Sequence, residues 1–479
     1  MFSFKNIQEY HSALAREEIT CREVIKYYLD RIQESSSLNA FVKVFEEEAI
    51  YRAGELDQIR QSGVPMGKLH GVVVSLKDVI SYKNHPVSAS SAILKDFKAV
   101  YSATVVDRLL KEGAIIIGTC NCDEFAMGNT NENSVYGVVR NPFDKNKVAG
   151  GSSGGSAAAV SAGLCMISMG SDTGGSVRQP ADFCGVAGFK PTYGANSRHG
   201  LIAYASSFDQ IGIIGNNIAD IQLVFDVISG PDNFDSTALQ QKIILEGPKE
   251  ISKMRIGVFT DALNHPSLDP EIRLAVLKTV DDLKLNGVLV DKINFDLLDY
   301  IVPAYYVLTT AEASSNLSRY DGVRYGHLSP ARADELEIFY KKNRSEGFGK
   351  EVKKRIILGT YVLSEGYFDA YFTKAQQVRN LLVKESEEIF KKYDAVLMPT
   401  VPHTAFETGN IAKDQVSAYL ADIFTVYANL TGIPALSLPL YRHSNGMPFG
   451  IQILTGKKDE VNLFRLADYL NSINKQYRK

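Results

Sequence analysis

Two glycine-flanked serine turns are the segments of this chain best suited to chemistry. The first is Gly150-Gly151-Ser152-Ser153-Gly154-Gly155-Ser156, and the second is Ser171-Asp172-Thr173-Gly174-Gly175-Ser176. Both turns lie near predicted helix N-termini, whose free backbone N–H groups favour developing negative charge. Two hydroxyls so close in the chain could share one site, where one serine attacks and the other relays its proton.

A serine nucleophile needs a base, and the sequence offers a lysine and several histidines. Lys77 ends the apolar run Val72-Val73-Val74-Ser75-Leu76, where burial would lower the pKa of its ammonium group and leave a neutral amine. Gly150-x-Ser152-x-Gly154 also matches the nucleophile elbow of serine–histidine hydrolases, for which His199 is a candidate base. Spacing alone leaves both bases open. A phosphate loop is disfavoured, because Ser156 stands where that loop needs lysine.

Alternating strand and helix patterns must position these residues. Short apolar runs predict buried strands at 71–76, 114–118 and 164–169, separated by helices at 104–112 and 156–162. This order is typical of an α/β protein with a largely parallel sheet. We predict one domain, 1–479, with N-terminal helices over 1–60 and a helical insertion over about 269–392. The sheet core would comprise 61–240 and 393–479, because strand patterns return at 395–398, 435–438 and 450–454.

Composition limits the classes of function. The chain has 479 residues, and its 52 basic and 55 acidic residues are mixed along the sequence, with a formal net charge of -3. No basic stripe indicates direct binding to DNA or to an anionic membrane, so any RNA contact is expected through a partner. Neither a membrane-spanning stretch nor a signal peptide is predicted, so we expect a cytoplasmic protein. Five scattered cysteines indicate neither a disulfide framework nor a metal site.

Lys77 and the two serine turns together resemble the amidase signature family, and the similarity runs over nearly the whole chain. The resemblance implies an α/β/α sandwich around a mixed, mostly parallel sheet, and a Ser–cis-Ser–Lys triad that cleaves amides. Matched residue by residue, Ser176 is the nucleophile, Ser152 is the relay that follows a cis peptide from Gly151, and Lys77 is the base. The oxyanion would be held by the backbone N–H groups of Thr173, Gly174, Gly175 and Ser176.

Four further segments are similar, within that family, to the glutaminase subunits of tRNA-dependent amidotransferases. They are the segments 123–128, 190–194, 311–322 and 355–360. A glutamine donor carries a carboxylate and an ammonium group, so its pocket needs a fixed cation and a fixed anion. The resemblance assigns these roles to Arg355 and Asp422, and arginine suits a carboxylate because its planar fork binds both oxygens. It also places a tyrosine beside the substrate, either Tyr306 or its neighbour Tyr305.

The same resemblance implies substrate contacts from Met127 and Gly128, next to an Asn129 that stands where these subunits commonly have serine or glycine. It implies that the chain itself binds no cofactor and no metal. Partner subunits B and C would complete a heterotrimer in which a partner binds ATP, Mg²⁺ and misacylated tRNA, and Glu-tRNA(Gln) or Asp-tRNA(Asn) becomes the amide. A free-standing amidase for small amides and a non-catalytic scaffold are the alternatives.

Overall fold

A single sheet forms the centre of the protein, whose computed structural model describes residues 4–330, 335–410 and 421–474. Its eleven strands are β1 Phe41–Val44, β2 Val73–Lys77, β3 Ile115–Cys120, β4 Ile167–Asp172, β5 Ala187–Lys190, β6 Gln210–Gly215, β7 Arg255–Phe259, β8 Leu289–Ile293, β9 Ala395–Pro399, β10 Ala435–Arg442 and β11 Pro448–Thr455. Their order across the sheet is β1-β3-β2-β4-β6-β5-β10-β11-β9-β7-β8.

Most of the other regular elements are α-helices. Within the described residues they are α1 Ile7–Ala15, α2 Cys21–Glu34, α3 Glu46–Gln61, α4 Thr104–Lys111, α5 Gly154–Ser161, α6 Arg178–Phe183, α7 Ile218–Ile228, α8 Thr260–Leu263, α9 Pro270–Leu285, α10 Leu298–Asn316, α11 Leu336–Gly347, α12 Lys350–Val362, α13 Lys374–Phe390, α14 Val426–Thr431 and α15 Glu460–Ile473. Of the helices in this described part, none combines the length and apolar character needed to cross a membrane. All five cysteines are free and buried.

Helices pack on both faces of the sheet, which confirms the α/β class and the α/β/α layering. Successive side chains of β2 point to opposite faces. Val74 therefore packs in the apolar cluster that includes α7 and α15, whereas Val73 packs in the cluster formed with α2, α3 and α5. Every residue of β2 is buried, which explains why this strand is a continuous apolar run in the sequence.

The sheet is mixed, as expected, but its balance of directions corrects the prediction of a mostly parallel sheet. Among the described strands, six neighbouring pairs are antiparallel and four are parallel. Parallel neighbours occur where a helix crosses between strands, as α4 does between β2 and β3. The short connection between β10 and β11 can join only antiparallel neighbours. Apolar runs report burial, and they carry no information on direction.

Among the described residues of 269–392, the regular elements are helices apart from β8, which pairs in parallel with β7 at the sheet edge. The residues of β8 are exposed or half-buried, so this strand lacks the continuous apolar run that marks a central strand. A second edge strand, β1, lies within 1–60, where only helices were predicted. The division into N-terminal helices, sheet core and helical insertion stays a prediction.

Candidate active site

The carboxyl end of β2 carries Lys77 into the protein interior. The side chain is completely buried, and its Nζ donates to Ser152 Oγ at 2.6 Å and to Ser171 Oγ at 2.9 Å. Ser171 lies on β4, which runs parallel to β2, so both strands bring polar side chains to the same edge of the sheet. Burial lowers the pKa of Lys77 to about 8, against the opposing effect of nearby buried acidic groups. A neutral amine is thus accessible near neutral pH.

The first serine turn leads directly into α5. The peptide bond between Gly151 and Ser152 is cis, as the family resemblance implies. A side chain at Gly151 would collide with the carboxylate of Asp123, so glycine is required there. Two hydrogen bonds fix the turn, because Asp123 N donates to Ser152 O at 3.2 Å and Gly151 N donates to Gln179 Oε1 at 2.9 Å. The backbone therefore presents Ser152 to Lys77 in a fixed position.

The second turn carries Ser176 between β4 and α6. Ser176 is 8% exposed, whereas Lys77 and Ser152 are completely buried, so Ser176 is the hydroxyl that a substrate can reach. Ser153 N donates to Ser176 O at 3.0 Å, which joins the two turns directly. The structure thus brings the three residues of the implied triad to one place.

The loop from Thr173 to Ser176, the nucleophile loop, supplies backbone donors. Among the described residues, the N–H groups of Thr173, Gly174 and Ser176 have no partner, whereas Gly175 N donates to Asp172 Oδ1 at 2.9 Å. The Asp172 carboxylate thus accepts from one of the four N–H groups predicted to hold the oxyanion, and the oxyanion site itself stays a prediction. Gly175 is needed for its left-handed backbone, with φ +126°, and because a side chain there would collide with Thr425.

A buried ion pair supports the nucleophile loop. Asp172 accepts from Arg178 Nε at 3.1 Å and from Nη2 at 3.0 Å, and both side chains are completely buried. Burial would raise the pKa of Asp172, but the adjacent guanidinium holds that pKa well below its ordinary value. Arg178 also donates to Thr425 O at 2.8 Å and to the side chains of Asn429 and Gln452. All three guanidinium nitrogens are thus engaged.

Replacing Arg178 with methionine is expected to lower the free energy of unfolding by about 3–5 kcal/mol, because Asp172 would stay buried without its partner. Urea unfolding of the full chain measures this change. Arg16→Met is the matched control, because its pair with Glu18 lies at the surface with both side chains more than half exposed. That variant should change stability by about 1 kcal/mol or less. A similarly small loss for Arg178→Met would contradict the structural role of the pair.

Helices α10 and α12 bring the predicted pocket residues next to the nucleophile loop. Tyr306 OH donates to Asp422 Oδ2 at 3.2 Å, and the Arg355 guanidinium carbon lies 5.5 Å from the centre of the Tyr306 ring. Thr425 follows Asp422 in the chain and donates from Oγ1 to Gly174 O at 2.7 Å, which joins the pocket to the loop. Burial raises the pKa of Asp422 to about 7. A buried cation and a buried anion thus flank one aromatic ring.

The structure shows different surroundings for the two neighbouring tyrosines, Tyr305 and Tyr306. Tyr306 contacts Arg355 and Asp422, whereas the ring of Tyr305 is buried against the nucleophile loop, 2.5 Å from where a side chain at Gly174 would begin. Tyr306 is therefore the residue that faces the charged pocket.

The segment 127–129 approaches the pocket through its last residue. Asn129 points its side-chain amide at both oxygens of Asp422, each at 3.4 Å. Met127 is completely buried, and a side chain at Gly128 would collide with Asp123. The implied substrate contacts of Met127 and Gly128 stay a prediction.

The alternative base, His199, lies in different surroundings. Its ring stacks on Tyr101 at 4.8 Å and on Phe234 at 4.7 Å, and both of these rings are exposed. Lys77, in contrast, donates directly to Ser152. The geometry favours the lysine.

Two residues that contact the site were missed from the sequence. Gln179 donates from Nε2 to Asn129 O at 2.8 Å while it accepts from Gly151 N, and its position just beyond Ser176 could have marked it. Tyr204 accepts from Arg355 Nη1 at 2.7 Å, and no motif surrounds it.

The site thus combines a mixed α/β/α fold with a buried lysine and two joined serine turns. The model of the amidase family matches residues 23–464. The chain belongs to the amidase family.

Comparison with individual proteins identifies a more specific similarity within this family. The chain is 46% identical over 471 residues to the A subunit of glutamyl-tRNA(Gln) amidotransferase from Chlorobium luteolum, and the match covers 98% of this chain and 97% of that one. The crystal structure of the corresponding A subunit from Thermotoga maritima is similar with a TM-score of 0.77 at 37% identity, covering 93% of this chain and 90% of the other. A bacterial aryl acylamidase has a TM-score of 0.86 at 21% identity, with 99% and 97% covered, which is a likeness of fold alone.

Proposed function

We propose that this chain is the glutaminase subunit of a tRNA-dependent amidotransferase. It hydrolyses glutamine and supplies the ammonia that converts Glu-tRNA(Gln), or Asp-tRNA(Asn), to the amide form. The observation that carries the proposal is the placement of Arg355 and Asp422 around Tyr306, beside the nucleophile loop. The similarity to the A subunits of glutamyl-tRNA(Gln) amidotransferases supports the link to tRNA.

The proposed reaction begins with attack by Ser176 on the amide carbon of glutamine. Neutral Lys77 accepts the proton through Ser152, whose Oγ lies 2.6 Å from Nζ. The N–H groups of Thr173, Gly174 and Ser176 stabilise the negative oxygen of the tetrahedral intermediate. The proton then passes to the leaving nitrogen, ammonia departs and an acyl-enzyme remains. Water, deprotonated through Ser152 and Lys77, cleaves the ester and releases glutamate.

The charged pocket selects glutamine among amides in this proposal. Arg355 binds the α-carboxylate, and Asp422 binds the α-ammonium group. Asp422 must be ionised for this role, and the arriving ammonium group lowers the pKa that burial has raised to about 7. Asn129, whose amide contacts Asp422, orients that carboxylate.

Partner subunits B and C complete the proposed heterotrimer. ATP, Mg²⁺ and misacylated tRNA belong to a partner, and this chain binds no cofactor of its own. The mixed distribution of charge and Ser156 in place of a phosphate-loop lysine support this division of labour. Co-purification of two further subunits with the full chain from its native cells tests it, and recovery of the chain alone from those cells would contradict it.

Replacing Arg355 with alanine is expected to lower kcat/KM for glutamine about 10- to 100-fold, the effect of losing a hydrogen bond between charged groups. Hydrolysis of a small neutral amide should not change, because it has no carboxylate. Steady-state ammonia release with both substrates measures the difference. Lys350→Ala is the matched control, because it removes an exposed cation from the start of the same helix. Unchanged glutamine turnover in Arg355→Ala would favour the free-standing amidase.

A further inference from the structure

The loop from Tyr204 to Asp209, here called the bridge loop, connects the pocket cation to the nucleophile loop. Tyr204 OH accepts from Arg355 Nη1 at 2.7 Å, and Tyr204 N donates to Asp209 Oδ2 at 2.9 Å. Asp209 Oδ1 in turn accepts from Thr173 Oγ1 at 2.7 Å. Tyr204, Asp209 and Thr173 are at most 3% exposed, so water does not compete for these bonds. A buried chain of hydrogen bonds therefore runs from Arg355 to the nucleophile loop.

The register of the sheet places Asp209 at the nucleophile loop. In the antiparallel pair of β4 and β6, Asp172 lies opposite Gln210. Asp209, the residue before β6, therefore meets Thr173, the residue after β4. The carboxylate of Asp209 also accepts from Ala205 N at 3.0 Å, which closes the bridge loop on itself.

Helices α10 and α13 hold the bridge loop from the opposite side. Tyr204 OH donates to Thr309 Oγ1 of α10 at 3.1 Å. Arg379 of α13 donates from Nη2 to Ser207 O at 2.9 Å. The loop is thus fixed between two helices, of which α10 carries Tyr306 of the pocket, and the strand that precedes the nucleophile loop.

The hydrogen bonds of Arg355 leave one nitrogen of its guanidinium, Nη2, for a ligand. Nη1 is held by Tyr204, and Nε donates to Glu351 Oε1 at 2.9 Å. Within the described residues, Nη2 has no hydrogen-bond partner. Tyr204 and Glu351 therefore fix the plane and direction of the guanidinium before substrate arrives.

We propose that Tyr204 and Asp209 are positioning residues that hold Arg355 in register with the nucleophile loop. This inference rests on the proposed function, in which Arg355 binds the carboxylate of glutamine. A carboxylate seated on Arg355 then places the amide carbon at a set distance from Ser176. The contact of Tyr204 with Arg355 accelerates attack only on substrates that carry the carboxylate, whereas the contact of Asp209 with Thr173 also holds the nucleophile loop that every substrate meets.

Tyr204→Phe tests the pocket end of the bridge, because it removes the hydroxyl that accepts from Arg355 and donates to Thr309. With the full chain and its co-purified partners, we expect kcat/KM for glutamine to fall about 10-fold or more, with kcat contributing to the fall. Labelling of Ser176 by a fluorophosphonate without a carboxylate should stay within about twofold of wild type, because the nucleophile loop is untouched. Tyr193→Phe is the matched control. Its hydroxyl donates to Ser206 O of the same loop at 2.9 Å without contacting Arg355 or Asp209, so neither rate should change.

Thr173→Val tests the end of the bridge at the nucleophile loop. It removes the hydroxyl that donates to Asp209 and keeps the side-chain volume nearly constant. We expect slower labelling of Ser176 as well as slower glutamine hydrolysis, and Thr173→Ser should restore both rates. Equal losses of labelling and glutamine hydrolysis in Tyr204→Phe would overturn the inference, as would wild-type labelling in Thr173→Val. A wild-type protein that labels at Ser176 but releases no ammonia from glutamine would overturn the proposed function, and the bridge with it.

Discussion

Replacing Ser176 with alanine is expected to lower glutamine hydrolysis by about 10⁴- to 10⁶-fold, the loss seen when a serine hydrolase loses its nucleophile. Without the hydroxyl no acyl-enzyme forms, and Lys77 and Ser152 have no proton to transfer. The change removes one oxygen from a side chain that is 8% exposed, so folding and binding to partners should be unaffected. Coupled detection of ammonia, thermal unfolding and co-purification of partners measure these three properties.

Ser156→Ala is the matched control for Ser176→Ala. Ser156 lies in α5, just after the first turn, and its buried hydroxyl donates to Met169 O at 3.3 Å. Removal of that hydroxyl should leave ammonia release near wild type. Ammonia release that persists in Ser176→Ala would refute the assignment of the nucleophile. Failure of a fluorophosphonate to label wild-type Ser176 would instead favour the non-catalytic scaffold.

Replacing Lys77 with methionine is expected to lower glutamine hydrolysis about 10²- to 10⁴-fold, the usual contribution of a general base. Methionine keeps an unbranched side chain in the buried site but has no amine to accept a proton. His199→Ala should retain near-normal activity, because His199 packs between two exposed rings. Near-normal activity of Lys77→Met together with a loss in His199→Ala would reverse the choice of base.

The wild-type pH profile gives an independent test of the same residue. The neutral amine is the active form, and burial lowers the pKa of Lys77 to about 8. Below pH 8, kcat should therefore rise about tenfold for each pH unit, and above pH 8 it should level off. This acid limb should vanish from the residual activity of Lys77→Met. A wild-type profile that is flat between pH 6 and 8 would contradict a lysine base.

Fully buried segments were predictable from the sequence, because a continuous run of apolar or small residues indicates burial on all sides. The apolar run before Lys77 became β2, and the alanine-rich segment after the first turn became α5. Edge strands were not predictable, since β1 and β8 are half-exposed and too short for a clear alternation. Strand direction was also missed, because it depends on the path of the connections.

The site residues also divide into those that the sequence predicts and those that it does not. Each serine turn is a contiguous motif, so the sequence presents it whole, and the resemblance to a family supplied the roles. Arg355 and Asp422 reach the same aromatic ring, Tyr306, only because α12 and the turn before α14 fold towards α10. Tyr305 and Tyr306 differ by about 100° around α10, so only the orientation of that helix decides between them. The contact of Asp209 with Thr173 depends on the register of β4 and β6, which no local pattern encodes.

The position of the partners of Arg178 has a consequence for biosynthesis. The nucleophile loop leaves the ribosome early, but Arg178 is bonded to Thr425, which follows it by 247 positions, and to Asn429 and Gln452 beyond that. At 5–20 residues per second, translation delivers these partners roughly 12–50 s later. A chain that ends before Thr425 therefore contains Lys77 and both serines but lacks three of the contacts that hold Arg178 beside the nucleophile loop. The hydrogen-bonded arrangement around Arg178 is therefore completed only after most of the chain has been synthesised.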